Sequence, residues 1–390
     1  MGAFAPCIAV AVALVCAPVA VGEPGAAIRE FPLPTAKSFP QAITTGADGN
    51  LWFTEEIANK IGRITPAGAA NEFTVPTADA RPSAITLGPD GNVWFTESRA
   101  NKIARISPSG AISEFPIPTG ESDPGGIATG ADGNLWFTEF LANKVARITP
   151  SGTISEFPLP TANSRPLGIT AGPDHNLWFT EVAGNRIARI TTSGAISEFP
   201  LPAAANVPSG ITAGPDHALW FYTVGTAAKI GRITTSGKIK QFLIPGQKEV
   251  GSSASGITPG PDGNVWFTEG AGGNIARITP SGTITGYPLP TPEAGPNGIT
   301  AGPDGNLWFT EGTAGRVGRA HPPPPAPKCV VPNLKRRTLT QAKRLLRRAH
   351  CGLGKVTVRT KSKHKLVVVG QKPAARRAVP GGTKVSLRLG

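Results

Sequence analysis

The chain has 390 residues, including 48 glycines and 40 prolines, and carries a formal net charge of +14. So many helix-breaking residues exclude a helical bundle, and because only segment 8–21 is continuously apolar, the composition also excludes an integral membrane protein. Residues 328–390 contain 18 Lys and Arg and no Asp or Glu, whereas residues 1–327 contain 21 basic and 25 acidic residues. We therefore expect a mildly acidic body followed by a small, strongly basic module.

The amino-terminal segment 8–21 (IAVAVALVCAPVAV) is too short to span a bilayer and is typical of the apolar region of a secretory signal. We interpret residues 1–22 as a signal peptide, with Ala17, Ala20 and Gly22 as possible cleavage points. This interpretation predicts a mature chain without a transmembrane segment. It also predicts that the protein is secreted, either extracellular or associated with the cell wall.

Tryptophan recurs along the body with a spacing of 42 residues, once 46, at positions 52, 94, 136, 178, 220, 266 and 308. Each unit contains four short apolar runs separated by Asp-Gly and Ser-Gly turns, which are signals for β-hairpins. Four antiparallel strands in every period of about 40 residues are typical of a propeller blade. The sequence therefore predicts an all-β fold, a seven-bladed β-propeller over residues 27–321.

The last unit lacks its fourth strand, because the chain runs into a proline-rich stretch after residue 319. The missing strand is found at the other end of the body. Residues 27–35 (AIREFPLPT) match residues 111–119 (AISEFPIPT), which form the fourth run of an earlier unit. We therefore expect the amino-terminal strand to complete the last blade and close the ring.

The first strand of each unit begins at a Pro-x-Gly/Ala-Ile motif and the second ends at Trp-Phe-Thr-Glu. Because the two strands are antiparallel, the start of the first and the end of the second lie at the same rim of the channel. The variable residues of the motif and the residues before its proline are therefore candidates for ligand binding. We select six of them: Gln41, Arg81, Asp123, Arg165, Ser255 and Asn297.

Six units end their second strand with a carboxylate, namely Glu55, Glu97, Glu139, Glu181, Glu269 and Glu311. Carboxylates around a pore suggest a divalent cation, with Glu269 and Glu311 as the candidate metal ligands. The alternative, which we favour, is that each pairs with a cation of the next strand, such as Lys60 or Lys102. His175 and His217 replace glycine in turns on the opposite face, where we expect solvated turn residues.

The repeated segments GPDGNLWFTE, NKI-x-RIT and EFPLPT resemble the streptogramin (virginiamycin B) lyase family over the whole body. That resemblance implies a seven-bladed propeller and an enzyme that opens a cyclic peptide antibiotic by elimination, using Mg²⁺ and a histidine base. The family's key histidines occupy the variable motif position in blades six and seven. Those positions hold Ser255 and Asn297 here. The family's acidic residue two positions before the seventh-blade histidine corresponds to Gly295, and Glu311 is the best match to a metal-binding glutamate of the family.

Two functions follow from this comparison. The first is a secreted binding protein without the family's catalytic histidine and without a cofactor, which presents an unknown small molecule or peptide site at the propeller rim. The alternative is a divergent Mg²⁺-dependent lyase that opens cyclic peptide lactones by elimination. The sequence leaves open whether the chain is an enzyme, since neither serine nor asparagine replaces imidazole as a base near neutral pH.

Beyond a proline-rich linker at 322–327, residues 328–390 resemble a PASTA domain. The resemblance rests on the segments VPNL (331–334), TLTQA (338–342), AHCGLGKV (349–356), QKP (371–373) and VPGGTKV (379–385). We predict a small α+β domain. It has one helix whose apolar face holds Leu339, Ala342, Leu345, Leu346 and Ala349, an N-cap at Thr338, and strands at 355–360, 366–370 and 384–389.

Cys329 and Cys351 are the two cysteines of this module, and we predict that they form a disulfide, with two buried thiols as the alternative. The resemblance and the basic charge predict binding to peptidoglycan or another anionic cell-wall polymer. The alternative is a solvated basic surface without a partner. We expect no specific nucleic-acid binding, because the module has no aromatic residue that stacks on bases.

Overall fold

A computed structural model describes residues 27–202, 207–225, 227–245, 256–323, 329–358, 366–379 and 383–389. The chain divides into two compact units between Pro323 and Pro324. Within the described ranges, no helix combines the length and the apolar character needed to cross a lipid bilayer. The predicted signal peptide, residues 1–22, lies outside the described residues, as does most of the predicted linker.

The first unit is all β, as predicted. Its described residues form seven four-stranded antiparallel sheets. In six of them the strand order follows the chain, and in the seventh the amino-terminal strand is added to the last three strands. The unit begins with β1 (Ala27–Pro32), and the next two sheets comprise β2 (Pro40–Thr45), β3 (Leu51–Glu55), β4 (Lys60–Ile64) and β5 (Ala70–Thr74), and β6 (Pro82–Leu87), β7 (Val93–Glu97), β8 (Lys102–Ile106) and β9 (Ile112–Pro116).

The following three sheets comprise β10 (Pro124–Thr129), β11 (Leu135–Glu139), β12 (Lys144–Ile148) and β13 (Ile154–Pro158); β14 (Pro166–Ala171), β15 (Leu177–Glu181), β16 (Arg186–Ile190) and β17 (Ile196–Pro200); and β18 (Val207–Ala213), β19 (Ala218–Val224), β20 (Lys229–Thr234) and β21 (Ile239–Leu243). The last two comprise β22 (Ile257–Pro259), β23 (Val265–Glu269), β24 (Asn274–Ile278) and β25 (Ile284–Pro288), and β26 (Pro296–Ala301), β27 (Leu307–Glu311) and β28 (Arg316–His321) together with β1.

The Asp-Gly-Asn turn between the first two strands of a sheet also anchors the tryptophan. Asp48 Oδ1 accepts a hydrogen bond from the backbone N–H of Asn50 at 3.1 Å and from the indole N–H of Trp52 at 3.0 Å. Gly49 adopts a positive φ of 72°, which a glycine tolerates without strain. Burial alone would raise the pKa of Asp48, but the hydrogen bonds from Asn50 and Trp52 bring it below its usual value.

An arginine on the third strand takes part in an aromatic contact within its own sheet and in a hydrogen bond to the next sheet. The indole of Trp52 stacks on Phe73 with ring centroids 5.6 Å apart, and the Arg63 guanidinium lies over the indole at 5.2 Å. Arg63 also donates a hydrogen bond to the carbonyl of Pro108, which belongs to the next sheet. The arginine on the third strand therefore ties one sheet to its neighbour, and the apolar core lies between sheets.

The unit closes on itself through its first strand. β1 pairs antiparallel with β28, from Ala27 opposite His321 to Pro32 opposite Arg316. One apolar cluster then joins Phe31 of β1 and Trp308 of β27 to Phe53 of β3. The structure therefore has the amino-terminal strand where the match between residues 27–35 and 111–119 predicts it, and the sheets form a propeller-like fold.

The second unit contains one short helix and two small sheets. Its elements are β29 (Cys329–Val330), α1 (Leu339–Arg348), β30 (Gly352–Val358), β31 (Val368–Lys372), β32 (Ala378–Val379) and β33 (Lys384–Leu389). β29 pairs with β32, while β33 lies between β30, which runs parallel to it, and β31, which runs antiparallel. The predicted helix and strands are present, although the second predicted strand begins at Val368 and the first begins at Gly352.

The core of this unit is formed by α1 and the three-stranded sheet. Ala342 and Leu346 of the helix are buried against Val385 and Leu387 of β33. Thr338 is the N-cap, as predicted, and it forms a capping box with Gln341. Cys329 and Cys351 form the predicted disulfide.

Candidate functional site

The first strands of six sheets line one central cavity. Each contributes residues of its Pro-x-Gly/Ala-Ile motif, and the cavity has a volume of about 190 Å³. The lining residues are Gln41, Ala42, Ser83, Ala84, Gly125, Gly126, Leu167, Gly168, Ser209, Gly210 and Gly298. A pocket that encloses a drug-sized ligand usually has at least about 300 Å³. A larger ligand must therefore rest on the rim of this cavity.

Threonine hydroxyls on the second strands fix the backbone of the cavity wall. Thr54 Oγ1 donates a hydrogen bond to the carbonyl of Ser83 at 2.8 Å, and Thr138 donates to the carbonyl of Leu167 at 2.7 Å. The backbone carbonyls of these variable motif residues therefore accept hydrogen bonds from the neighbouring sheet. The chemistry offered to a ligand therefore depends on their side chains and on the residues before the proline.

Gln41 and Arg81, both predicted rim residues, are joined by a residue that the sequence reasoning missed. The side-chain amide of Gln41 donates a hydrogen bond to Glu56 Oε2 at 2.6 Å, and Arg81 Nη1 lies 3.1 Å from Glu56 Oε1. Arg81 also pairs with Asp79 at 3.1 Å. Glu56 was identifiable as a departure from the repeat, because the equivalent positions hold Ser98, Phe140 and Val182.

Asp123 and Arg165 occupy the same position of the repeat as Arg81. All three adopt a positive φ between 51° and 56°, an uncommon conformation for residues other than glycine. Arg165 is exposed and its guanidinium lies over the ring of Phe140 at 5.6 Å. Burial raises the pKa of Asp123 above its usual value. The rim therefore presents two arginines and a carboxyl group with an increased tendency to take up a proton.

Asn297 lies between the last sheet and the first. Its side-chain amide donates a hydrogen bond to the backbone carbonyl of Pro40 at 3.3 Å. Its backbone carbonyl accepts a hydrogen bond from the Thr268 hydroxyl at 2.6 Å. The neighbouring Gly298, not Asn297, lines the cavity. Ser255, the other position that matches a family histidine, lies outside the described residues, as does the insertion at 246–253.

Most strand-end glutamates do not pair with the next strand as predicted. Lys60 Nζ lies 2.7 Å from Glu72 of β5, and Lys102 lies 2.6 Å from Glu114 of β9, so each lysine pairs with the outermost strand of its own sheet. Among the described residues, no hydrogen bond reaches the carboxylate oxygens of five strand-end residues: Glu55, Glu97, Glu139, Glu181 and Glu311. The prediction of pairing with Lys60 and Lys102 was therefore wrong. Pairing with the next strand is confirmed for Glu181, because Arg186 of that strand lies 3.9 Å from its carboxylate.

These five carboxyl groups are fully buried, and none of them is among the residues that line the cavity. Burial raises the pKa of Glu55, Glu139 and Glu181 to about 7 and of Glu97 and Glu311 to about 8. For Glu311, the charge of Glu30 adds to this effect and that of Arg316 opposes it. In the fifth sheet, Thr223 lies opposite Pro208 in the register where the other sheets have glutamate.

The two predicted metal ligands have different surroundings. Glu269 accepts a hydrogen bond from Asn274 at 3.1 Å, and Glu311 is buried without a hydrogen-bond partner. Mg²⁺ requires near-octahedral oxygen coordination. Yet the described part of the chain brings together no group of three or more His, Cys, Asp or Glu residues able to hold a metal ion. The described residues therefore do not fit a Mg²⁺ site at Glu269 or Glu311.

Histidine occurs at three positions between residues 27 and 323. His175 and His217 lie in the turns that follow β14 and β18, both with positive φ, as the predicted turn residues. His321 ends β28, and its Nδ1 lies 2.8 Å from Oδ1 of Asn306, in the corresponding turn of the last sheet. Each first strand begins at the cavity, so the turn that follows it lies at the far end of the strands. The third strand β28 also ends there, and all three imidazoles therefore lie away from the cavity.

The comparisons with known proteins agree with this architecture. The model of the virginiamycin B lyase family matches residues 22–205 and 161–337. A streptogramin B lyase structure is 42% identical with a TM-score of 0.71, and the match covers 76% of this chain and 97% of that one. A selenomethionine-substituted virginiamycin B lyase from Staphylococcus aureus is 41% identical, covering 76% and 99%, also with a TM-score of 0.71.

A third structure is a catalytically inactive histidine-to-alanine variant of virginiamycin B lyase from Staphylococcus aureus with quinupristin. It is 40% identical, the match covers 76% of this chain and 99% of that one, and the TM-score is 0.71. The family model and these structures extend over the whole propeller-like unit. The chain belongs to the virginiamycin B lyase family.

Proposed function

We propose that the chain is a secreted, cell-wall-associated binding protein whose propeller recognises a ligand without carrying out the elimination reaction of its relatives. In this proposal the seven sheets are the blades of one closed seven-bladed propeller. The ligand, a small molecule or peptide, rests on the rim near Gln41, Arg81, Asp123 and Arg165. The cavity beneath is too small to enclose such a ligand, and the rim supplies charged, polar and aromatic contacts.

The observation that carries this proposal is the position of the histidines. An elimination needs a base that removes a proton next to the reacting ester, and imidazole is the side chain best suited to this near neutral pH. His175, His217 and His321 lie at the ends of the strands away from the cavity. Asn297, which matches a family histidine, carries an amide that is not basic. A relative whose histidine is replaced by alanine is described as catalytically inactive.

The second candidate is a divergent Mg²⁺-dependent lyase that opens cyclic peptide lactones. It is favoured by the identity of 40–42% with streptogramin and virginiamycin B lyases over nearly their whole length. Against it, the described carboxylates do not fit a Mg²⁺ site. We therefore favour the binding function and expect that it requires neither Mg²⁺ nor another cofactor.

For the second unit, we propose that a PASTA-like basic domain, residues 328–390, attaches the protein to peptidoglycan or another anionic wall polymer. Its 18 cationic residues and lack of acidic residues support attraction to such polymers. The disulfide suits an exported protein, because such bonds persist in oxidising surroundings. No aromatic side chain is present to stack on bases, so specific nucleic-acid binding is not part of the proposal.

The two candidates are separated by incubating the full chain with a type B streptogramin and Mg²⁺. Opening by elimination rearranges the molecule without changing its mass, so the product is followed by its chromatographic retention and its fragmentation in tandem mass spectrometry. An intact ring supports the binding function, and a linear isomer overturns it. Wall attachment is tested separately by sedimenting the full chain with purified cell wall.

A further inference from the structure

The outer face of the three-stranded sheet in the second unit contains a shallow groove. Its volume is about 320 Å³, and its lining comes from all three strands: Lys355, Thr357, Gly370, Gln371, Lys372, Ser386, Leu387 and Arg388. Three of these residues are cationic, one on each strand. This groove is distinct from the propeller rim, since it belongs entirely to the second unit.

Apolar and polar residues alternate along β33, the central strand, and this explains why one face of the sheet is apolar and the other basic. Val385, Leu387 and Leu389 of β33 are buried in the core with the helix. Lys384 and Arg388, the intervening residues, are exposed, and Ser386 is half-buried between them. Because successive side chains of a strand point to opposite faces, the cations lie together on the face away from α1.

Arg388 is placed across the groove by its neighbours on both sides. In the sheet register it lies opposite Thr357 of β30 and Gly370 of β31. A Cβ atom at position 370 would lie 3.2 Å from Nη2 and 3.3 Å from Nε of Arg388. That approach is tighter than an ordinary van der Waals contact, so glycine at this position leaves room for the guanidinium to lie against the strand.

No carboxylate side chain is available in this unit to neutralise the groove, since residues 328–390 contain neither Asp nor Glu. The groove therefore offers ammonium, guanidinium and hydroxyl donors together. Arginine, with its planar guanidinium, and lysine, with its ammonium group, are the side chains that bind phosphate oxygens most effectively. Ser386 adds a hydroxyl group able to donate to the same oxygens, while the Thr357 hydroxyl donates to the carbonyl of Leu387 at 3.4 Å.

We propose that this groove is a phosphate-binding site for a cell-wall polymer of repeating phosphodiesters, with Lys355, Lys372 and Arg388 as its binding residues. The groove is open, so it accepts one unit of a chain that continues beyond it on both sides. This inference rests on the proposed wall association, and it assigns that association to one face of the second unit.

The test uses the full chain and purified poly(glycerol phosphate) as the probe, with affinity measured by isothermal titration at about 0.1 M salt. The groove variant is K355Q/K372Q/R388Q. The control variant, K335Q/K343Q/R344Q, loses the same three charges from exposed positions outside the groove. We expect the groove variant to bind about tenfold or more weakly and the control variant to bind within about threefold of the native chain.

Equal loss of affinity in both variants would overturn the site, because it would show that only total charge matters. Tighter binding of poly-γ-glutamate or of double-stranded DNA than of poly(glycerol phosphate) by the native chain would overturn the ligand class. Gly370→Ala keeps every charge and provides a milder variant if the triple substitution impairs folding. We expect it to weaken binding several-fold by displacing Arg388, and unchanged affinity would contradict the assigned geometry.

The failure of this inference is distinguishable from that of the proposed function. If the full chain sediments with wall from which phosphodiester polymers have been extracted, and binds no poly(glycerol phosphate), then wall association holds and the groove assignment is overturned. If it binds the soluble polymer through the groove but does not sediment with intact wall, the groove assignment holds and wall association fails.

Discussion

Thr310 donates its hydroxyl to the backbone carbonyl of Gln41, although 269 residues separate them in the sequence. The bond repeats the link that Thr54 makes to Ser83 and Thr138 makes to Leu167 between consecutive sheets. It therefore joins the last sheet to the first with the geometry used everywhere else in the unit. It also fixes the backbone of Gln41, which lines the cavity.

Replacing Thr310 by valine removes this hydroxyl with little change in shape. We expect the free energy of unfolding to fall by about 1–3 kcal/mol, because the carbonyl of half-buried Gln41 loses its donor and the backbone N–H of Gly298 loses its acceptor. Urea unfolding followed by tryptophan fluorescence measures the change. Thr283→Val, the same substitution at an exposed position, is the control and should alter stability by less than about 0.5 kcal/mol. Equal effects of the two substitutions would show that the closing bond contributes nothing specific.

The buried strand-end glutamates predict a loss of stability at alkaline pH. Burial raises the pKa of Glu97 from 4.5 to about 8, so the folded state holds a proton that the unfolded state releases. The contribution to stability is fully present below pH 4.5, decreases as the pH rises and is lost above about pH 8. Glu97→Gln should therefore raise the free energy of unfolding by about 1–3 kcal/mol at pH 9 and have little effect at pH 4.

Glu114, on the outer strand of the same sheet, provides a control of opposite sign. Burial alone would raise its pKa, but Lys102 and Thr77 bring it below its usual value. Its stabilising contribution is therefore present above pH 4.5 and is lost as the pH falls through its lowered pKa. Glu114→Gln should destabilise the protein at pH 9. If both substitutions destabilise equally at that pH, the burial of an unpaired Glu97 carboxyl is not supported.

The disulfide of the second unit predicts a local effect on stability. Cys329 and Cys351 are 22 residues apart in the sequence, and closing a loop of that size contributes about 2–4 kcal/mol. The double substitution of both cysteines by serine should make residues 329–389 sensitive to protease while the first unit stays intact. Limited proteolysis followed by mass spectrometry measures this. Cleavage that begins within the propeller would contradict the division into two units.

The repeated features of the fold were predictable from the sequence because each recurs with one period. The spacing of Trp52 and Trp94 and the Asp-Gly turns predicted the sheets, and the match of residues 27–35 to a fourth strand predicted the pairing of β1 with β28. The bond from the Trp52 indole to Asp48 was not predicted. It depends on the side chain folding back over its own turn, which a pattern of apolar residues does not encode.

The site was less predictable than the fold. The position of Glu55 at a strand end was identified correctly, but the direction of its side chain was not. Leu51 to Glu55 is buried on both faces, so the usual alternation of polar and apolar residues gives no information on which way each side chain points. Glu56 and Phe140 contact the rim arginines Arg81 and Arg165. They were missed although each departs from the repeat, because only the positions of the proline motif and the strand-end glutamates were considered.

The central proposal is that this chain combines the fold of its lyase relatives with a binding function and does not carry out their elimination. A single-turnover experiment tests it most directly, with the full chain in tenfold excess over quinupristin in the presence of Mg²⁺, and a virginiamycin B lyase from Staphylococcus aureus run in parallel. Chromatography with tandem mass spectrometry should show the ring opened by the control enzyme and intact with this chain. Appearance of the linear isomer of unchanged mass with this chain would contradict the account.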